Sequence, residues 1–366
     1  MTTRSQLLIQ EQLRTGITPE SVAAQYALVV KRHTAYPNLL LFKYNQLESP
    51  MDNPLVQQCR GLILDADDNW HVVSRPFDKF FNHGEGYAAP IDWTSARVQE
   101  KLDGSLCSLY SYMGEWHVAT SGTPDALGVV NGFNFTFADL FWRVFWERGY
   151  EFPTDQHVTY MFELMTPYNR VVVRHEENDL KLIGLRDNIT GQEYSPATTS
   201  QFEPVREFPL QTIEDIESTF RDMDPIKQEG YVIVDGKFNR VKVKHPGYVA
   251  IHHMRDGYGP RRILEVIRSG ETTELLNYFP EWREAFNQVQ AKYDTLVGEL
   301  ENMYDSIKDI DNQKDFALQA TKLKCSGVLF GLRKGQIKGV KEGLANMHIK
   351  YLVELLNIAD IELGGG

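Results

Sequence analysis

From about residue 39 to residue 244 the chain is written in short apolar runs broken by Gly, Asp, Asn or Pro, and beyond about residue 252 that texture stops. Runs of this length, rich in β-branched and aromatic residues, predict strands at 60–65, 70–74, 106–110, 116–120, 158–164, 171–173, 180–185, 231–234 and 241–244. Helical spacing predicts helices within 4–31, 135–149 and 212–222, then at 261–270, 272–278, 282–308 and 314–324. The expectation is an α+β domain of antiparallel sheets with flanking helices over residues 1–252, followed by an all-α C-terminal domain over residues 253–366.

Charge narrows the function classes. The 366 residues hold 38 Lys and Arg against 50 Asp and Glu, so a nucleic-acid partner has to be held by a local basic groove. One stretch, 321–350, is locally basic: Lys322, Lys324, Arg333, Lys334, Lys338, Lys341 and Lys350 face a single acidic residue, Glu342. Cys59, Cys107 and Cys325 lack the spacing of a disulfide framework or a zinc site, which fits a reducing, cytoplasmic setting. No apolar stretch approaches the ~18 residues of a membrane helix, and no signal-type segment opens the chain. His252 and His253, near His245, have no third ligand at metal-binding spacing, and Gly84-Glu85-Gly86 reads as a turn. The closing Gly364–Gly366 reads as a frayed end.

Two segments carry chemistry. In Val98 to Leu106, Lys101 stands at a strand end before an Asp-Gly turn, and strand alternation puts Lys101 and Asp103 on one face. A lysine crowded by other cations has its ammonium form disfavoured and becomes a usable nucleophile, while Gly104 lets the backbone approach a ligand closely. Read alone, the segment equally fits a hairpin turn with an exposed lysine. In the second segment, Glu229 to Tyr248, Lys242 and Lys244 share one strand face and Val241 and Val243 take the other. Paired ammonium groups suit a nucleotide α-phosphate, and Glu229 suits a divalent metal; a lysine-protected sheet edge is the plain alternative.

Taken in order, Lys101-Leu102-Asp103-Gly104, Phe162-Glu163-Leu164, Leu180 to Asp187, Glu229-Gly230 and Lys242-Val243-Lys244 resemble the motifs of the covalent nucleotidyltransferases, the superfamily of ATP-dependent ligases and capping enzymes. Arg75-Pro76-Phe77-Asp78-Lys79-Phe80-Phe81-Asn82, the preceding Arg60-Gly61, the later Tyr248 and a helical C-terminus narrow the resemblance to the RNA ligase 1 family of phage-type tRNA-repair ligases. What the resemblance implies is a nucleotidyltransferase (ATP-grasp-like ligase adenylation) domain using ATP with Mg²⁺ or Mn²⁺. Lys101 would form lysyl-AMP, Lys242 and Lys244 would contact the α-phosphate, and Glu229 would hold the metal. Glu163 would bind ribose, Arg60 and Lys79 would meet pyrophosphate, and Val232 with Leu182 or Ile183, Ile183 being preferred, would sandwich adenine. Glu100, Asp103, Gly104, Phe81, Tyr44 and Tyr248 complete the implied nucleotide site. Thr120-Ser121-Gly122-Thr123 departs from the family, which places a basic residue where Ser121 stands, and no acidic pair of the family is reproduced around Glu271 to Glu274.

The expected function is an ATP-dependent RNA ligase joining 5′-phosphate and 3′-hydroxyl ends through lysyl-AMP and RNA-adenylate, acting as a monomer on single-stranded ends or a nicked tRNA loop. The alternatives are a DNA ligase or capping-type enzyme on the same core, or a non-catalytic RNA-end-binding protein.

Overall fold

The computed structural model describes residues 7–254 and 259–359, and the Gly364–Gly366 end lies outside them. The chain forms two compact units: residues 1–44 with 50–252, and residues 45–49 with 253–366.

In the first unit the strands are, in chain order, β1 (Leu28–Arg32), β2 (Leu39–Tyr44), β3 (Arg60–Asp65), β4 (His71–Ser74), β5 (Phe81–Asn82), β6 (Arg97–Lys101), β7 (Ser105–Tyr112), β8 (Glu115–Thr120), β9 (Val158–Met165), β10 (Asp179–Asp187), β11 (Glu193–Tyr194), β12 (Glu207–Phe208), β13 (Gly230–Val234) and β14 (Arg240–Lys244). They make three sheets ordered β1-β2-β3-β4, β11-β10-β9-β7-β8 and β12-β6-β13-β14-β5. Pairing is antiparallel throughout these sheets except between β14 and β5, which run parallel. The unit is α+β, as its sequence texture predicts.

The third sheet shows how alternation builds a site. Val98, Tyr231, Ile233, Val241 and Val243 point to one side and bury themselves against Ile216 of the helix Ile213–Thr219. By the two-residue period, Gln99, Lys101, Val232, Lys242 and Lys244 point to the other. The register sets them in rows: Lys101, Gly230 and Lys244 are cross-strand partners, as are Gln99, Val232 and Lys242. The second sheet is backed by the helix Phe137–Glu147, started by a reciprocal capping box between Thr136 and Asp139. Its Leu140, Phe141, Val144 and Phe145 pack with Phe162 and Phe202 in one apolar core.

Two elements differ from expectation. Residues 4–31 do not form a helical region throughout: helices cover Leu8–Arg14 and Pro19–Gln25, after which Ala27 adopts φ 51° and the chain enters β1. The cause is tertiary, since Val29 and Val30 pair with Lys43 and Phe42. Residues 171–173 are not a strand: the backbone N–H groups of Val172 and Val173 donate to the Asp103 carboxylate at 2.9 and 2.6 Å instead of to a ladder.

The second unit contains helices and no strand among its described residues. The long helix Arg283–Ile307 buries Phe286, Val289, Tyr293, Leu296 and Leu300 along one stripe. Segment 45–49 belongs here, with Glu48 accepting a hydrogen bond from the backbone N–H of Glu342 at 3.0 Å.

Candidate active site

A cavity of about 280 Å³ lies between the polar row of the third sheet and residues of β7, β9 and β10, the three inner strands of the second. Its apolar wall is Leu102, Leu106, Ile183, Val205 and Val232; its cations are Arg60, Lys101, Arg240, Lys242 and Lys244. Between Leu182 and Ile183, the structure places Ile183 on the wall, because β10 carries a bulge between Leu182 and Gly184 that turns Ile183 out of the ladder, while Leu182 stays in the core.

At the cavity, Lys101 Nζ is 2.7 Å from Glu229 Oε2, and Lys244 Nζ is 3.5 Å from Glu229 Oε1. Cations line the cavity with Lys101, as the sequence suggests, and the structure also pairs the lysine with a buried carboxylate. Glu229 precedes Gly230, and a Cβ at Gly230 would fall 2.3 Å from the Val243 carbonyl oxygen, so only glycine allows the strands to close over the pair. Glu163, from β9, faces the same cavity, and burial pushes its carboxyl up to about 7, with the Lys101 and Arg60 charges opposing the rise and Glu229 and Asp103 adding to it. Glu100 also reaches the lining, its carboxyl raised by burial against the pull of Arg206 and Lys181.

Asp103 and Tyr248, implied as nucleotide contacts, are not on the cavity wall. The strand ends at Lys101, so alternation does not carry Asp103 onto the face of the lysine. Its buried carboxylate accepts from Val172, Val173 and, at 2.9 Å, the Tyr248 hydroxyl, so it ties the segment after Lys101 to the 166–175 loop and to Tyr248. Gly104 is on the wall, and a Cβ there would meet the Leu164 carbonyl oxygen at 2.4 Å.

Lys79 and Phe81 line an adjoining cavity of about 420 Å³. Tyr44 sits beneath the Lys79 ammonium, 5.1 Å from ring centre to Nζ; burial alone would raise its phenol, but Arg60, Lys79 and Lys43 hold it below the ordinary value. Ser121 is not on either wall, yet a cation stands at its turn: Lys43 Nζ comes within 4.0 Å of where a Gly122 Cβ would be. His252 stacks on Tyr248 at 6.2 Å, and the His253 side chain lies outside the described residues.

Sequence reasoning missed Gln99, Phe77, Phe80, Val205 and Arg240. Gln99 was available from alternation, two residues before Lys101. Phe80 is placed by tertiary packing, with Arg60 at 5.5 Å and Lys242 at 5.8 Å from its ring centre.

The residues present fit a nucleotide: an apolar slot wide enough for a base, opposed cations, and a buried Arg60 Nη1 with no hydrogen-bond partner, a donor waiting for an anion. For a divalent metal the fit is narrower. No group of three or more His, Cys, Asp or Glu stands ready among the described residues, which leaves Glu229 as a single carboxylate acting with phosphate oxygens, a common arrangement for Mg²⁺.

A sheet-borne lysine ion-paired beside a base-sized slot and a file of cations is an arrangement suited to nucleotidyl transfer. The family model described as RNA ligase, of the T4 RNA ligase 1 type, matches residues 58–248, more than half of the chain, and the chain belongs to that family. An RNA ligase of Rhodothermus phage RM378 is 28% identical over 75% of this chain and 78% of its own. A protein of Autographa californica nuclear polyhedrosis virus, assigned by its name as a bifunctional polynucleotide kinase/RNA ligase, is 26% identical over 76% of this chain, which spans 43% of that longer protein. Among solved structures, an archaeal ATP-dependent RNA ligase is similar at 15% identity and TM-score 0.46, covering 87% of this chain and 89% of that one.

Proposed function

We infer that the protein is an ATP-dependent RNA ligase that joins a 5′-phosphate to a 3′-hydroxyl in three nucleotidyl transfers. The observation that carries this reading is the position of Lys101, on the wall of a base-sized cavity that Lys242 and Lys244 also line, with Glu229 paired to both Lys101 and Lys244. In the first transfer the Lys101 amine attacks the α-phosphorus of ATP, a P–N bond forms, and the bond to the β-phosphate breaks to release pyrophosphate. The Lys101 ammonium has to leave Glu229 and lose a proton to solvent first, because an ammonium has no lone pair to donate. Val232 and Ile183 hold adenine, Glu163 the ribose, Lys242 and Lys244 the α-phosphate, and Arg60 and Lys79 the leaving pyrophosphate. Mg²⁺ or Mn²⁺ held by Glu229 and phosphate oxygens supplies charge neutralisation at phosphorus when bound. AMP then passes to the RNA 5′-phosphate, and the 3′-hydroxyl displaces AMP to close the phosphodiester.

Single-stranded ends, as in a cut tRNA loop, are the proposed substrate, with a monomer working in the cytoplasm. No described helix is long and apolar enough to cross a membrane. Incubation with labelled ATP or GTP and Mg²⁺, without RNA, tests the reading by intact mass: an AMP adduct that pyrophosphate removes is expected, and an adduct from GTP alone would replace the ligase with a capping-type enzyme.

A further inference from the structure

The adjoining cavity is the larger of the two and shares Phe77, Phe80 and Arg240 with the nucleotide cavity. It is built rather than incidental. The buried Arg186 lines it, with its Nε lacking any hydrogen-bond partner. Its two acidic residues are already committed: Asp78 pairs with Arg75 at 3.1 Å and Arg186 at 2.8 Å, and Glu193 pairs with Arg186 and with Arg240 at 2.5 Å. Lys79 and Lys237 add two positive charges at the wall. The hairpin that presents Lys237 and Phe238 is pinned from within, the buried Asp235 carboxylate accepting from the N–H groups of Lys237 and Asn239, both at 2.9 Å. Tyr87, 56% exposed, closes one side with its ring centre 5.6 Å from that of Phe81. Aromatic faces beside cations are the chemistry of an unpaired nucleotide.

We propose that this second cavity receives the 5′-terminal nucleotide of the RNA strand to which AMP is transferred. The inference rests on the ligase reading. In that transfer the P–N bond to Lys101 breaks and a pyrophosphate linkage forms between AMP and the RNA 5′-phosphate. The product therefore carries two nucleosides only a pyrophosphate apart, and if one fills the first cavity the other needs a second within that reach. The cavity across Phe80 and Arg240 meets this requirement: Tyr87 offers the base a ring to stack on, and Lys237 faces the next phosphate along the strand.

The test uses the full chain with Tyr87→Ala and Lys237→Ala, and Tyr87→Phe as the conservative control. Adduct formation from ATP is expected to keep its wild-type rate. In single-turnover transfer from pre-adenylated enzyme to a 5′-phosphorylated oligoribonucleotide, the half-saturating donor concentration should rise about tenfold or more for Tyr87→Ala, as loss of a stacked base predicts. Tyr87→Phe should restore it. Unchanged donor dependence in both alanine variants would overturn the proposal. So would slower adduct formation, which would assign the cavity to the triphosphate, or a change confined to the 3′-hydroxyl strand. A wild-type chain that never takes up AMP would instead bring down the ligase reading, and this proposal with it.

Discussion

Lys101 is ion-paired with Glu229, a pair that the proposed reaction requires it to leave, and that makes two side chains separable by experiment. Arginine at this position keeps a positive charge against Glu229 but is never deprotonated in a protein, so it cannot attack phosphorus. Lys101→Arg is expected to lose the AMP adduct entirely while its unfolding midpoint stays within about 1 kcal/mol of wild type; a persistent adduct on the intact chain would mean a different nucleophile. Glu163 gives the pH dependence. Its folded carboxyl titrates near 7, above the ordinary glutamate value, so between those two pH values the folded state holds the proton that the unfolded state has lost. Its contribution is then fully present below about pH 4.5 and is lost as pH rises through 7. Glu163→Gln should remove that decline, so that the stability of the variant relative to wild type improves by about 1–3 kcal/mol from pH 4.5 to pH 8 in denaturant titrations. A constant difference across that range would show that Glu163 is not the group responsible. At this scale the sequence was most legible where a residue type is demanded by chemistry, as at Lys101, Lys242 and Lys244. Asp103 stands in the same motif as Lys101 but binds backbone N–H groups, and Tyr248 binds the Asp103 carboxylate, a distinction that only the path of the chain after β6 reveals.

The three-stranded centre of the third sheet converts register into chemistry. Lys101, Gly230 and Lys244 lie in one cross-strand row, and Glu229 reaches both lysines because Gly230 adopts φ 142° with the Val243 carbonyl almost upon it. An alanine there needs backbone displacement in two strands, so Gly230→Ala is expected to cost more than about 2 kcal/mol and to abolish adduct formation; a fully active, stable variant would show that the row tolerates a shift. The loop after β9 is held from the other side. Asparagine in place of Asp103 offers one carbonyl oxygen to three donors, leaving at least one unmet, and Asp103→Asn should lower stability by about 1–3 kcal/mol and slow adenylation, as read by denaturation midpoint and adduct rate. These contacts also explain which elements were readable. The strands of the polar and apolar rows follow from alternation, whereas Val171 to Val173 have strand-forming side chains yet spend their N–H groups on a carboxylate. Val29 and Val30 fall in a helically spaced stretch but find strand partners only once Phe42 and Lys43 are brought beside them.

An acidic protein that acts on RNA must concentrate its attraction, and the second unit shows how much of its basic run is available. Of the seven cations between 321 and 350, Lys324 is paired with Glu299, and Arg333 lies over the Phe316 ring at 4.3 Å while donating to Gln313 and the Asp311 carbonyl. Lys341 is half-buried, and Lys338 is exposed with its backbone N–H donating to the Glu342 carboxylate; Lys322, Lys334 and Lys350 are also exposed. The sequence shows the charge run but not this division, because which lysines face solvent depends on how the helices pack. If the run touches RNA phosphates, Lys322, Lys334 and Lys350 are among the exposed lysines that carry the contact, and each phosphate neutralised on a single strand steepens the dependence of log affinity on log salt by about 0.7. The triple variant Lys322→Glu, Lys334→Glu, Lys350→Glu is therefore expected to bind a single-stranded oligoribonucleotide more weakly and to reduce the salt slope by about 2. Its adduct formation from ATP should match wild type, since the nucleotide cavity is lined entirely by residues of the first unit. Equal slopes for variant and wild type would return the run to a solvated helix surface and leave RNA capture to the cations of the first unit alone.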